Sequence, residues 1–110
     1  MATLSVQEAP VSGLAAVVWT AAAAGGDEAP TGRDLVLLVN NTDTASHTLT
    51  VVTPGTVDGI GLEDVTVGVA AGDVAVVPLR EVYRDSSTRR AALSLDAETG
   101  VEYALVRLPW

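Results

Sequence analysis

From residue 35 onward the chain alternates short apolar runs rich in Val, Thr and Leu with clusters of turn-forming residues. The runs are LVLLV, SHTLTVV, EDVTVGV, VAVVPL, AALSL and VEYALVRL, and NNTD, TPGTVDG, AAGD and DAETG fall between them. Val and Thr are branched at Cβ, stiff at χ1, and suit a pleated, half-buried surface. Gly, Asn, Asp and Pro supply the backbone geometries that reverse the chain. This pattern predicts an all-β fold, a small antiparallel β-sandwich (Ig-like or jelly-roll-like) of about seven strands.

The run 35–39 is apolar at every position, which marks a strand buried on both faces or central in its sheet. Residues 46–53 alternate, with Leu49 and Val51 on one side and Thr48, Thr50 and Val52 on the other. Residues 63–69 alternate more regularly and turn Val65, Val67 and Val69 inward. Residues 40–43 predict a hairpin-type connection, and residues 70–73 a tight hairpin turn into a strand at 74–79. A last hairpin is expected between 89–96 and 101–108, around the turn at 97–100. The polar stretch 80–88 with Tyr83 at its middle reads as a loop containing one helical turn.

Upstream the periodicity weakens. Residues 1–13 contain Pro10 and Gly13 and read as an extended N-terminal arm, leaving 14–110 as the β-sandwich domain. A first strand is expected at 14–20, anchored by Val17, Val18 and Trp19. The alanine tract 21–24 is too short to nucleate a helix, and with 25–32 it forms a long surface loop.

At 110 residues this is one domain with a thin core, since it has no Phe and only Trp19, Tyr83, Tyr103 and Trp110 as aromatics. Burial against neighbouring subunits is then an attractive source of stability, which points to an assembly component and self-association. The formal net charge is −8, and all six basic residues are arginines. Duplex binding needs clustered cations to meet phosphates, so nucleic acid is an unsuitable partner. There is no cysteine for disulfides or thiolate metal sites. No positive segment followed by an apolar one opens the chain, and the longest apolar stretch, 13–24, falls short of the ~20 residues that span a bilayer. A soluble, cytoplasmic product without a membrane partner is expected.

Candidate chemistry is sparse. His47 is the only histidine. Its strand neighbours Ser46 and Thr48 face the opposite way, so a solvent-facing side chain is expected rather than a general base. One His and no Cys cannot make a zinc site. Asp58, Glu63 and Asp64 around Gly59 and Gly61 have hard oxygen ligands but lack EF-hand spacing, and read as a solvated turn. Gly59-Ile60-Gly61 lacks the third glycine and the helix of a dinucleotide fingerprint. No catalytic, cofactor-binding or metal-binding residue is therefore expected, and the chain is not read as an enzyme. Partner contacts are expected at Leu4 and Val6 in the arm, at Tyr83 and Arg84 on the long loop, and at the terminal Trp110, because large apolar groups at chain ends favour burial against another surface.

Three stretches resemble small virion structural proteins of tailed bacteriophages that infect actinobacteria. They are TAAAAGGDEAP at 20–30 leading into RDLVLLVNN, TVVTPGTVDGIGLEDVTVGVAAGD at 50–73, and VEYALVRLP at 101–109. The resemblance implies a capsid decoration (cement) protein, bound to the major capsid protein on the outside of the head and made in the host cytoplasm. It also implies an oligomer, with a homotrimer favoured, and brings no catalytic residues. Head–tail joining, another tail role, and a surface- or carbohydrate-binding module are the alternatives.

Overall fold

The computed structural model describes residues 2–61 and 63–109, with the side chains of residues 2, 56 and 57 left aside. Twelve strands follow one another: β1 (Ala2–Thr3), β2 (Val6–Glu8), β3 (Thr20–Ala21), β4 (Asp27–Ala29), β5 (Leu35–Asn41), β6 (His47–Val51), β7 (Thr56–Val57), β8 (Ile60–Gly61), β9 (Val65–Val69), β10 (Val74–Pro78), β11 (Ala91–Leu95) and β12 (Val101–Arg107). A single 3₁₀ turn, Glu81–Tyr83, lies between β10 and β11, where the sequence placed one helical turn. The described residues contain no α-helix.

The strands form two packed sheets, the β-sandwich expected from the pattern. One sheet has the order β1-β4-β11-β6-β9, and the other β10-β5-β12-β2, with β3 also paired to β12. β7 and β8 form a separate two-stranded hairpin. The alternation along each strand decides which side chains enter the space between the sheets. Leu49 and Val51 of β6, Leu93 of β11 and Ala29 of β4 meet Leu35, Leu37 and Val39 of β5 and Val101, Tyr103 and Leu105 of β12 there. β5 is central in its sheet, paired with β10 along one side and β12 along the other. This accounts for its unbroken apolar run.

Three connections differ from expectation. The turns at 42–46, 70–73 and 96–100 are not hairpins, because β5 and β6, β9 and β10, and β11 and β12 lie in different sheets. Each is a crossover that carries the chain from one sheet to the other. A turn of four or five residues fits either path, and the inward-facing period is the same in both.

The N-terminal segment also differs. It is not a free arm: β1 pairs in parallel with β4, and β2 in parallel with β12. Leu4, between them, donates its N–H to the Glu28 carbonyl at 2.8 Å and is only 5% exposed. The segment crosses from one sheet to the other and plugs the open side of the sandwich with Leu4. The first strand expected at 14–20 is reduced to Thr20–Ala21. Conversely, β4 lies within the stretch read as loop. Its Asp27 is buried and accepts the Ala23 N–H at 3.0 Å, so an acidic residue occupies an inward position that composition assigns to solvent.

Candidate functional site: two unlike ends of the sandwich

Strand directions sort every connection to one of two ends. The crossovers 42–46, 70–73 and 96–100 share one end with the β3–β4 connection, 22–26. The opposite end carries the connections 30–34, 52–64 and 79–90 and the close of β12.

The crossover end is held by a network of polar side chains. Asn41, fully buried at the end of β5, donates its Nδ2 to the carbonyls of Ala45 (2.9 Å) and Val69 (3.0 Å) and accepts the Asp43 N–H on Oδ1 (3.0 Å). Its main chain bonds Asp73 and Gly72 on the neighbouring crossover. The third crossover joins through Gly100, whose carbonyl accepts both the N–H and the hydroxyl of Thr42 at 2.7 Å. Gly100 has φ +75°, and a Cβ there would stand 2.8 Å from the Asp43 Cβ. Only glycine allows this approach.

His47 completes the network, and the structure corrects the expectation of a solvent-facing ring. It is 6% exposed, with Nε2 2.8 Å from Asp43 Oδ2 and Nδ1 3.0 Å from Asp96 Oδ1. The hydrogen bond to Asp43, then that to Asp96, raises its pKa above the ordinary 6.5, against an opposing push from burial. The same bonds lower both carboxylates below their ordinary 3.8. The strand-neighbour argument correctly removed Ser46 and Thr48 as partners. Asp43, across the turn at i−4, was detectable in sequence as an acid–turn–His spacing, whereas Asp96 is brought in only by sheet packing. The arrangement is a structural ion cluster in which both ring nitrogens are occupied by carboxylates.

The other end is different in charge and in surface. Arg33 lies on the 30–34 connection, Arg80, Arg84, Arg89 and Arg90 on 79–90, and Arg107 closes β12, so all six arginines are here, together with Glu8, Asp34, Asp58, Glu63, Asp64, Glu81 and Asp85. At the crossover end stand Asp43, Asp73, Asp96 and Glu98, with Glu102 one residue into β12, and no arginine, His47 being held between Asp43 and Asp96. Of the arginines, among the described residues only Arg107 makes ion pairs, with Asp34 (3.3 Å) and Glu8 (3.5 Å). It lines an open cleft of about 460 Å³ with Pro10, Val11, Leu108 and Pro109. Among the described residues no carboxylate lies within ion-pair distance of the other five guanidiniums.

The loop that carries four of these arginines is ordered by Asp85. Its N–H donates to the Arg90 carbonyl (3.0 Å), its carbonyl accepts the Arg89 N–H (2.7 Å), and its carboxylate accepts the N–H and hydroxyl of Ser87 (2.8 and 2.6 Å). The bonds from Ser87 keep the Asp85 carboxyl below its ordinary range. A bridge between Arg84 and Ala91 closes the loop. Val11, Ile60 and Val82 stand exposed at this same end, Ile60 at 73% on the β7–β8 hairpin.

The expected partner contacts divide accordingly. Leu4 is in the core and unavailable to a partner, a correction that follows from the pairing of β1 and β2. Val6 is half-buried and packs against the core from β2, and Tyr83 does the same from the 3₁₀ turn. Arg84 is exposed beside Tyr83. Trp110 lies outside the described residues. Around the acidic turn, Asp64 accepts the Thr53 N–H at 2.9 Å, and among the described residues no three metal-ligating side chains converge. Missed by sequence reasoning were Val11, Ile60 and Val82, and the gathering of the arginines, which depends on strand direction. No family model matches the chain, and neither do any curated proteins or solved structures.

Proposed function

We propose that the chain is a virion structural protein that decorates the outside of a phage head, docking through its arginine-bearing end and turning its acidic crossover end outward. The observation that carries this reading is the gathering of the arginines: on a chain of net charge −8, all six stand at one end, interspersed with Glu8, Asp34, Asp58, Glu63, Asp64, Glu81 and Asp85, among exposed Val11, Ile60 and Val82. A docking surface of this kind combines apolar contact with charges of both signs, which fix register on a partner of complementary pattern. The ordered 85–90 turn holds Arg84, Arg89 and Arg90 in place before contact, which lowers the entropy lost on binding. TPGTVDG (53–59), the core of the second stretch that resembles phage virion proteins, contains β7 and the turn into β8 at this end.

The reading assigns the contact to the loops rather than to the N-terminal segment, whose strands are part of the sandwich. Immunogold labelling of intact particles with antibody to the chain tests it. Label over the whole head is expected. Label at a single vertex or along the tail would assign a joining or tail role instead, and particles free of the polypeptide would overturn the proposal. Arg89→Glu with Arg90→Glu should reduce head occupancy at least about tenfold, with a wild-type melting curve, since both side chains are exposed.

A further inference from the structure

We infer that a second copy of this chain pairs with the first along β10, antiparallel and about a two-fold axis, so that one sheet runs through both protomers. The two sides of the sandwich treat their free edges in opposite ways. On one side the edges are blunted by strands of two or three residues: β1 in one sheet, and β2 and β3 along β12 in the other. On the opposite side the edges are β9 and β10, five residues each and without a single charge. Natural proteins usually protect such edges with charges, prolines, bulges or very short strands, and of these the two edges have only Pro78, at the last position of β10. A bare edge on so acidic a chain is built to be covered.

The main chain of β10 is arranged for this. The Asp73 carbonyl accepts the Asn41 N–H, and the Leu79 N–H donates to the Leu35 carbonyl. Odd-numbered residues therefore face β5, and Val74, Val76 and Pro78 turn their backbone groups to the open edge. Pro78, which has no N–H to satisfy, sits at the end of that row. Side chains of these residues lie on the outer face of the sheet, where Val74 is 52% and Val76 63% exposed. Val76 and Pro78 border half-buried Leu38 and Val36 of β5, their neighbours in register, and Val74 borders Asn40.

A two-fold axis requires like residues to meet, and Val76 is the centre of the strand. With Val76 opposite the partner's Val76, the two exchange both main-chain bonds, and each Val74 N–H reaches the partner's Pro78 carbonyl. Gly72 then stands opposite the partner's Arg80, which puts that guanidinium beside Asp73. The strand is thus flanked by an acid at its start and a base past its end, which complement one another only in the antiparallel arrangement. This contact is independent of the capsid reading and differs from the trimer that the resemblance implies.

Sedimentation equilibrium of the full chain over a range of concentrations tests the inference. A reversible dimer is expected. Val76→Lys, on an outward and exposed position, should raise its dissociation constant at least about tenfold with the melting temperature of the monomer unchanged. Should that variant fold poorly, Arg80→Glu, in exposed loop, should weaken the dimer likewise, and adding Asp73→Arg should restore it. A monomer at every concentration, a trimer, or a dimer indifferent to these changes would overturn the inference.

Discussion

A neutral imidazole has one N–H and one lone pair, yet both ring nitrogens of His47 face carboxylate oxygens, at 2.8 Å from Asp43 and 3.0 Å from Asp96. Both contacts are attractive only when the ring is an imidazolium donating from each nitrogen. The pH dependence follows from the sign of each shift. His47 is raised above 6.5, so its contribution to stability is complete below 6.5 and is lost as pH climbs through the folded-state value. Asp43 and Asp96 are lowered below 3.8, so theirs is complete above 3.8 and is lost as pH falls through their folded-state values. The melting temperature should therefore be highest between those two ordinary values and decline on both sides. His47→Gln should lower that maximum and abolish the alkaline decline, as thermal melts across a pH series would record. An unchanged alkaline limb in the variant would mean that another group governs it.

At the scale of elements, the alternating pattern tells which side chains of a strand face inward but not which sheet the strand joins. The facing of β6 and the inward set of β9 were legible for that reason, and the sandwich followed. Their partners were not, because a four-residue turn such as 70–73 serves a hairpin and a crossover equally. What distinguishes them here is Asn41, whose amide and main chain reach the ends of β9 and β10 at once, a convergence that no local pattern carries. The N-terminal segment failed differently. Its strands have two or three residues, too few for a period to register, and their pairing is with strands far along the chain. Leu4 shows the consequence. Buried at 5% exposure between the sheets, it should cost about 2–5 kcal/mol when replaced by Ala, the range for a core leucine. A denaturation titration would measure this; a loss below about 0.5 kcal/mol, the level of ordinary surface substitutions, would return the segment to the status of a free arm.

Across the whole molecule, one end is cross-braced and the other is carried on long connections, and this difference should be visible as a gradient in dynamics. At the crossover end the amides of Thr42 and Gly72 are bonded from one crossover to another, and Asn41 and His47 tie the same turns through buried side chains. At the arginine end, β7 and β8 pair only with each other, two residues apiece, at the tip of the 52–64 connection. Opening free energy tracks buried contact and cross-bracing. Hydrogen exchange should thus find the amides of Thr42 and Gly72 protected at least about a hundredfold more than those of the β7–β8 hairpin. The turn at 85–90, braced by Asp85, should fall between the two. Equal protection at both ends would show that the ion cluster adds nothing to local rigidity. The expected gradient suits a protein that meets its partner with the arginine end: a hairpin able to adjust to the partner surface stands beside a preformed basic turn, and the crossover end anchors both.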